Sequence, residues 1–367
     1  MTLSVSDNVP ARPAFGWAGL ARRAEAVVLP IGALLAGFAA FSLFLLLQDK
    51  SPADFFALVY RAGFGTAFSW ENTLSRAAPL LLAALCVALP ARLGLVVIGG
   101  EGAIVLGGVG AGFAGAVLAG TPALIALPAM LLTAMVIGAL WIGAIGALRH
   151  YRGVNETIAS LLMAYIAIAL MNHLVEGPLR DPASLNKPST APLDEALRVG
   201  SIPGWDVHWG LAFGVIACVL AWVLIDKTPW GFAARIAGGN VRAAQVQGLP
   251  VGKLIVGFTA LGGAFAGMAG FFEVAAVHGS ANGSLAGGYG YTGILIAFLA
   301  RHNPLAIIPV AILLAGFEAS SGLVQRRMDL PDATVLVLQG FVFMSILMSE
   351  TLYGRFKLFA PERWRTA

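Results

Sequence analysis

The chain has 367 residues, 58% of them hydrophobic and only 11% charged, at a mean hydropathy of +0.83. A soluble domain carries about 25% charged residues, and this apolar excess cannot be hidden in an ordinary core. A soluble enzyme, a nucleic-acid binder and a disordered chain are therefore excluded, and an all-α integral membrane protein in a lipid bilayer is expected. The net charge of +4 does not argue for polyanions, because basic residues of membrane proteins gather on cytoplasmic loops. The 45 glycines suit membrane helices that approach closely. Residues 1–25 predict a cytoplasmic segment without the short apolar core of a signal peptide. The membrane-spanning body is expected over 26–350, and 351–367 predicts a cytoplasmic tail.

Membrane helices need about 20 apolar residues. In chain order the candidates are Ala26–Leu47, Gly94–Leu118, Ala123–Leu148, Glu156–Leu174, Trp209–Ile225, Leu254–Val277, Leu305–Gly322 and Ala333–Ser349. Two further apolar stretches, Ala77–Pro90 and Gly290–Ala300, are short and predict broken or re-entrant helices, tolerated only inside protein. Together they give about ten segments. Placing both termini in the cytoplasm puts fifteen of the 23 Lys and Arg residues on the inner side, as the positive-inside rule favours. Gln48–Ser75, rich in aromatics, is expected on the membrane surface. The polar, proline-rich loop 176–208 is outer, either a lid or docking surface or a solvated connector. Cys86 and Cys218 lie in apolar runs as buried thiols, and no metal-ligand spacing is present.

Carboxylates at membrane depth are costly and need partners or water. Four are candidates: Glu101, Glu156, Glu273 and Glu318. Glu101 sits in Gly99-Gly100-Glu101-Gly102, where it could bond the freed backbone of a broken helix. Glu156 follows Asn155 and suits the first turn of a helix, where the dipole favours an anion. Glu273 and Glu318 suit the outer interface. Tyr289 and Tyr291 sit in a glycine-rich turn that lacks the Lys-Ser/Thr ending of a phosphate loop. No Asp/Glu/His relay at helical spacing supports an ion-coupled carrier, and no channel filter or catalytic constellation is visible.

The inner loop 226–253 carries the strongest signal. Asn240 predicts an N-cap, Val241–Gln247 a short helix and Gly248 its stop. Isolated helices below about 12 residues are marginal, so this one must dock, on its own domain or on a cytoplasmic partner.

Gly239-Asn240-Val241-Arg242-Ala243-Ala244 followed by Gly248-Leu249 resembles the coupling loop of ABC-transporter permeases of the branched-chain amino acid/ribose group. Gly153-Val154-Asn155-Glu156-Thr157-Ile158, Gly99-Gly100-Glu101-Gly102 and Gly290-Tyr291-Thr292-Gly293 resemble the nucleoside and simple-sugar branch, in order from about Asn72 to Glu350. The resemblance implies an importer subunit that binds no cofactor itself. Its partners would be a cytoplasmic ATPase holding ATP and magnesium, a second related permease and an extracellular or periplasmic binding protein. It also implies a multi-pass location in the bacterial inner membrane. Glu101, Asn155, Glu156, Tyr289 and Tyr291 would line the path or support its backbone. Gly239, Asn240, Arg242, Ala243, Ala244 and Gly248 would couple to the ATPase. A purine nucleoside is the first substrate expectation, with a simple sugar or nucleobase as alternatives. Ala103 and Ala164 depart from the pattern, where Gln and Asn are more usual.

Overall fold

A computed structural model describes residues 17–350; the expectations for residues 1–16 and the 351–367 tail lie outside them. The described residues are all-helical in architecture, 77% of them in helices. Two compact units divide it, one taking in the chain up to Pro52 and from Leu336 onward, the other Ala53–Val335. The first unit pairs α1 (Trp17–Leu46) with α13 (Thr334–Glu350). Gly37 has no side chain to keep them apart: a Cβ there would sit 2.9 Å from Val342 Cα. Phe41, Phe44 and Phe341 cluster beside that crossing at 5.8–6.2 Å between rings. Helix α1 begins at Trp17, nine residues before the expected span.

The second unit holds α2 (Pro52–Phe64), α3 (Ala67–Ala91), α4 (Gly100–Val117), α5 (Ala123–Arg152), α6 (Glu156–Glu176), α7 (Gly210–Lys227), α8 (Pro229–Gly239), α9 (Val241–Val246), α10 (Val251–Phe272), α11 (Tyr289–Leu299) and α12 (Pro304–Met328). Among the described residues seven helices are long and apolar enough to cross a membrane. Helices α3, α4 and α10 are buried along most of their length, while α5, α6 and α7 turn much of theirs outward. Leu124, Leu140, Ile158 and Leu162 stand on that outer surface. A water-soluble protein could not tolerate such a surface; a lipid-facing one requires it.

The core forms because α10 carries glycines where three helices cross it. Gly263 and Gly138 of α5 each aim the missing Cβ at the other's carbonyl oxygen, and Gly267 does the same to Ala134 O. Gly270 meets Ile104 O of α4, and Gly262 meets Cys86 O of α3 at 2.9 Å. Backbones in contact gain dispersion energy that lipid tails cannot match, the usual basis of close packing between membrane helices.

Two expected spans are corrected. Ala77–Pro90 is the inner part of a 25-residue helix, α3, which starts at Ala67. Its polar residues lower the hydropathy yet are satisfied internally: Thr73 Oγ1 donates to Gly63 O at 2.7 Å and Ser69 Oγ to Arg61 O at 2.9 Å. The interruption falls instead in Gly94–Leu118, where Leu95–Ile98 is not helical and α4 begins only at Gly100. Gln48–Ser75 accordingly contains α2 and the first part of α3. Gly290–Ala300 does form a short helix, the 11-residue α11. Helix α10 runs on through a π-helical turn, Glu273–His278. The loop 177–209 is no loose connector: Thr190 and Leu193 donate backbone N–H groups to Ala281 and Gly279 at 2.9 and 2.8 Å, and Val199 donates to Ala275 at 2.9 Å.

Candidate functional site

The segment between α3 and α4 needs partners for its non-helical backbone, and the first turn of α6 supplies them. Ser160 Oγ accepts from Ile98 N at 3.0 Å, and Thr157 Oγ1 donates to Val96 O at 3.0 Å. Gly99 then lies against the Ser160 backbone, too close for any Cβ. Helix α4 starts at the next residue.

At that start the Glu101 carboxylate, 1% exposed, accepts from Gly288 N at 2.7 Å and from Gly290 N at 2.6 Å. Those are the N-cap and second residue of α11, whose orphan donors otherwise have no intrahelical acceptor. One buried carboxylate thus serves two helix beginnings: its own helix presents its positive end, and α11 presents another. Gly288 holds a left-handed φ of 85°, a conformation that suits glycine and turns the chain into α11. A Cβ at Gly290 would collide with the Glu101 backbone. The two helices therefore meet N-terminus to N-terminus around one anion.

Further polar groups gather near this junction. Thr292 Oγ1 donates to Glu318 Oε1 of α12 at 3.1 Å. Glu273, 2% exposed in the π turn, faces His278 Nε2 at 3.5 Å. Tyr289 lies within electrostatic reach of Glu273, Glu318, Arg76 and Glu101. Tyr291 is partly exposed and shares its surroundings with Glu101 and Tyr165. The His208 ring stacks on Phe272 at 6.2 Å and joins α3 to α7. Its Nδ1 accepts from Gly210 N at 3.1 Å, so Nε2 carries the proton and donates to Ser75 O at 3.2 Å. That carbonyl is free because Pro79, four residues on, has no N–H to give it. Burial pushes the His208 imidazole below its ordinary range, with Glu273 and the Ser75 bond acting weakly the other way.

Asn155 and Glu156 do not reach Glu101. Asn155 is exposed and caps α6, its Oδ1 accepting from Ile158 N at 3.0 Å. Glu156 pairs with Arg149 Nε at 3.2 Å, closing the α5–α6 connection. The link from α6 to the α3–α4 break is made by Thr157 and Ser160, which sequence reasoning passed over. Thr292 and Glu318 were also beyond it as a pair, being 26 residues apart. Ala103 and Ala164 are buried, and Gly102 lies against Ala164 with only 3.0 Å between a Cβ position and Ala164 Cα. A larger side chain at Ala164 would force that crossing open.

In the loop 226–253, Asn240 caps α9, its Oδ1 accepting from Ala243 N at 3.0 Å. Helix α9 stops in a left-handed turn at Gly248, φ 75°, with Gly248 N and Leu249 N returning to Gln245 O and Ala244 O at 3.0 Å. Six residues are helical, so its length falls one short of the sequence expectation. Ala244 is fully buried, as only Ala244 is in α9. Its burial seats α9 against its own domain. Val241, Arg242, Ala243, Gln245 and Val246 face outward; Gly239 joins α8 to this turn. Cys86 and Cys218 are free and buried. Among the described residues no group of three or more His, Cys, Asp or Glu side chains is placed to hold a metal ion.

A helical membrane body, broken at a buried carboxylate and carrying a short capped helix in its basic loop, defines a polytopic transport subunit. The chain belongs to the family of branched-chain amino acid transport system permease components, which it matches over residues 69–347. It is 33% identical over 332 residues to the glucose ABC transporter permease protein TsgB13 of Haloferax volcanii, covering 88% of this chain and 87% of that protein. It is 29% identical over 349 residues to the guanosine ABC transporter permease protein NupP of Bacillus subtilis, covering 91% and 96%. A second guanosine permease protein of that organism, NupQ, is 24% identical over 291 residues, covering 74% and 90%. No solved structure matches.

Proposed function

We propose that the chain is the membrane-spanning permease of a heteromeric ABC importer that carries a purine nucleoside inward. The observation that carries this reading is end-to-end similarity to a guanosine permease, 91% of this chain against 96% of that one. ATP and magnesium act on a cytoplasmic ATPase subunit, since this chain has no GxxxxGK[ST] sequence. A binding protein delivers the solute from outside. A second, related permease completes the pore, a reading supported by the two guanosine permeases of one organism that this chain resembles. Ten segments, α1, α3–α7 and α10–α13, lie in the inner membrane of a bacterium, with both termini and the α8–α9 loop in the cytoplasm. The pathway runs past the Glu101 junction. There Glu101 supports the backbone, Tyr289 and Tyr291 form part of the wall, and Asn155 and Glu156 fix the start of α6. On the loop, Arg242, Ala243 and the outward side of α9 meet the ATPase, while Gly239, Asn240, Ala244 and Gly248 shape that surface.

The substrate is neutral in this reading, in keeping with the guanosine and glucose named for the two relatives. A simple sugar is the second reading, favoured by the 33% identity to a glucose permease. Uptake by vesicles holding the complete complex, comparing guanosine, glucose and a branched-chain amino acid, tests both. Transport of guanosine with ATP supports the first, glucose alone the second, and the amino acid alone refutes the nucleoside and sugar branch.

A further inference from the structure

At the end of the bundle opposite the outer loops, the last turn of α3, the last turn of α8 and the turn between α11 and α12 meet at one residue, Arg92. Its Nη2 donates to His302 O at 2.9 Å across 210 residues of sequence. Helix α8 touches the same residue through backbone alone. A Cβ on Gly238 would run into Arg92 O and lie 3.0 Å from Leu93 Cα, and Gly94, at a left-handed φ of 72°, faces Gly238 O at 3.4 Å. On its other side α8 is tied to the end of α7, with Arg235 Nη2 donating to Ile225 O at 3.0 Å and lying 3.6 Å from Asp226 Oδ1. Burial acts against the Arg92 charge, Asp226 of α7 attracts it and Arg235 of α8 repels it.

The turn that Arg92 holds is itself unusual. Arg301 and His302 adopt φ values of 51° and 54°, two successive side-chain-bearing residues in the left-handed region. Such a conformation persists only where its surroundings over-determine it. It is closed by His302 N to Ala297 O at 2.7 Å and Arg301 N to Phe298 O at 2.9 Å. Burial and the neighbouring Arg92 charge push the His302 imidazole below its ordinary range. Two atoms of this cluster, Arg92 Nε and His302 Nδ1, are buried without a hydrogen-bond partner. A buried polar cluster left partly unsatisfied in one arrangement has bonds to gain in another. Beyond the turn stands α11, 11 residues or about 16 Å of straight helix, whose far end is bound by Glu101.

We propose that Arg92 is the positioning residue through which movement of the α8–α9 hairpin reaches the α11–α12 turn and, along α11, the Glu101 junction. The inference rests on reading the chain as an ABC-importer permease whose α9 meets an ATPase. A push on α9 displaces α8, and α8 has no slack against Arg92 O, so the guanidinium shifts and the strained turn follows it.

The test uses the full complex in proteoliposomes with Arg92→Gln and Arg92→Lys. Solute moved per ATP hydrolysed falls about tenfold in R92Q, within the range of ordinary coupling energies, while ATP hydrolysis without solute is kept or rises. R92K retains the charge and one donor and loses less. Spin labels replacing the exposed Trp230 of α8 and Leu305 of α12 report the same link. Their separation stays narrow in wild type with and without trapped nucleotide and broadens in R92Q. Equal loss of hydrolysis and transport, or wild-type coupling with an unchanged separation, overturns the proposal. If R92Q does not assemble, wild-type coupling and an unchanged separation in R92K overturn it equally. A wild-type complex with no ATP-driven uptake refutes the importer reading instead, and the broadened separation still decides the role of Arg92.

Discussion

Replacing Glu101 with glutamine changes the junction by one charge and almost no volume. The carboxylate accepts from Gly288 N and Gly290 N through separate oxygens at 2.7 and 2.6 Å. Glutamine offers one oxygen and one NH2 group, so one of those N–H donors is left facing another donor. An unsatisfied buried donor costs about 1–3 kcal/mol. Removing an anion from two helix N-termini costs a further ~0.3–1 kcal/mol at each. Relief from burying a charge offsets part of this, leaving about 2–4 kcal/mol against the ordered start of α11. At about 1.4 kcal/mol per decade the open population rises roughly 30- to 700-fold. Hydrogen exchange read by mass spectrometry on the 288–292 amides of the assembled complex should show that loss of protection, and ATP-driven uptake should fall with it. E101D keeps the charge but is one methylene shorter, and should lie between. Unchanged exchange and unchanged uptake in E101Q, at normal expression, would refute the assignment of Glu101 as the anchor of α11.

Gly290→Ala places a methyl against the Glu101 backbone and should cost about 1–3 kcal/mol as an overpacked site, read as a thermal midpoint below that of wild type. Val246→Asp alters an α9 side chain that is 85% exposed. It should abolish solute-stimulated ATP hydrolysis with an unchanged midpoint, whereas Ala244→Trp, at a buried position, should lower the midpoint. His208 has its imidazole depressed below 6.5, so the stability it contributes is complete above that value and is lost as pH falls through the lower folded value. The midpoint should drop more steeply from pH 7 to pH 5 in wild type than in H208Q, and equal slopes would refute the neutral tautomer. Glu156→Gln breaks a pair whose arginine is 44% exposed, worth about 0–1 kcal/mol, and a midpoint shift of more than about 4 °C would contradict that.

Length and punctuation carried most of the fold. Gly153 and Asn155 end one helix and start the next, and Asn240 and Gly248 bound α9, because capping chemistry is local and written in single residues. The short α11 was legible for a different reason, since Arg301 cuts off its apolar run. Polarity misled at α3, where Glu71, Asn72, Ser75 and Arg76 dilute the hydropathy of a continuous helix. It misled again at Leu95–Ile98, apolar residues counted into a span that leave the helical path just before the glycines where a break was expected. What redirects them is Thr157 and Ser160, some sixty residues on. The candidate site was half legible. Glu101 declared itself as an acid in an apolar run, but its partners are backbone N–H groups 187 and 189 residues away, which no side-chain pattern announces.

The reciprocal contact of Gly138 with Gly263 sets how this chain tolerates change. Where two carbonyls fill the space a methyl would need, even the smallest enlargement collides with backbone, which cannot be trimmed in compensation. On the outer side of α5, Leu132 and Leu140 meet only fluid surroundings and can be exchanged for other bulky apolar residues at little cost. A hydropathy profile would score alanine at position 263 as harmless, yet that one carbon would pry α5 from α10 at the centre of the unit. At this crossing, therefore, substitution is limited by the smallest residues rather than by the largest.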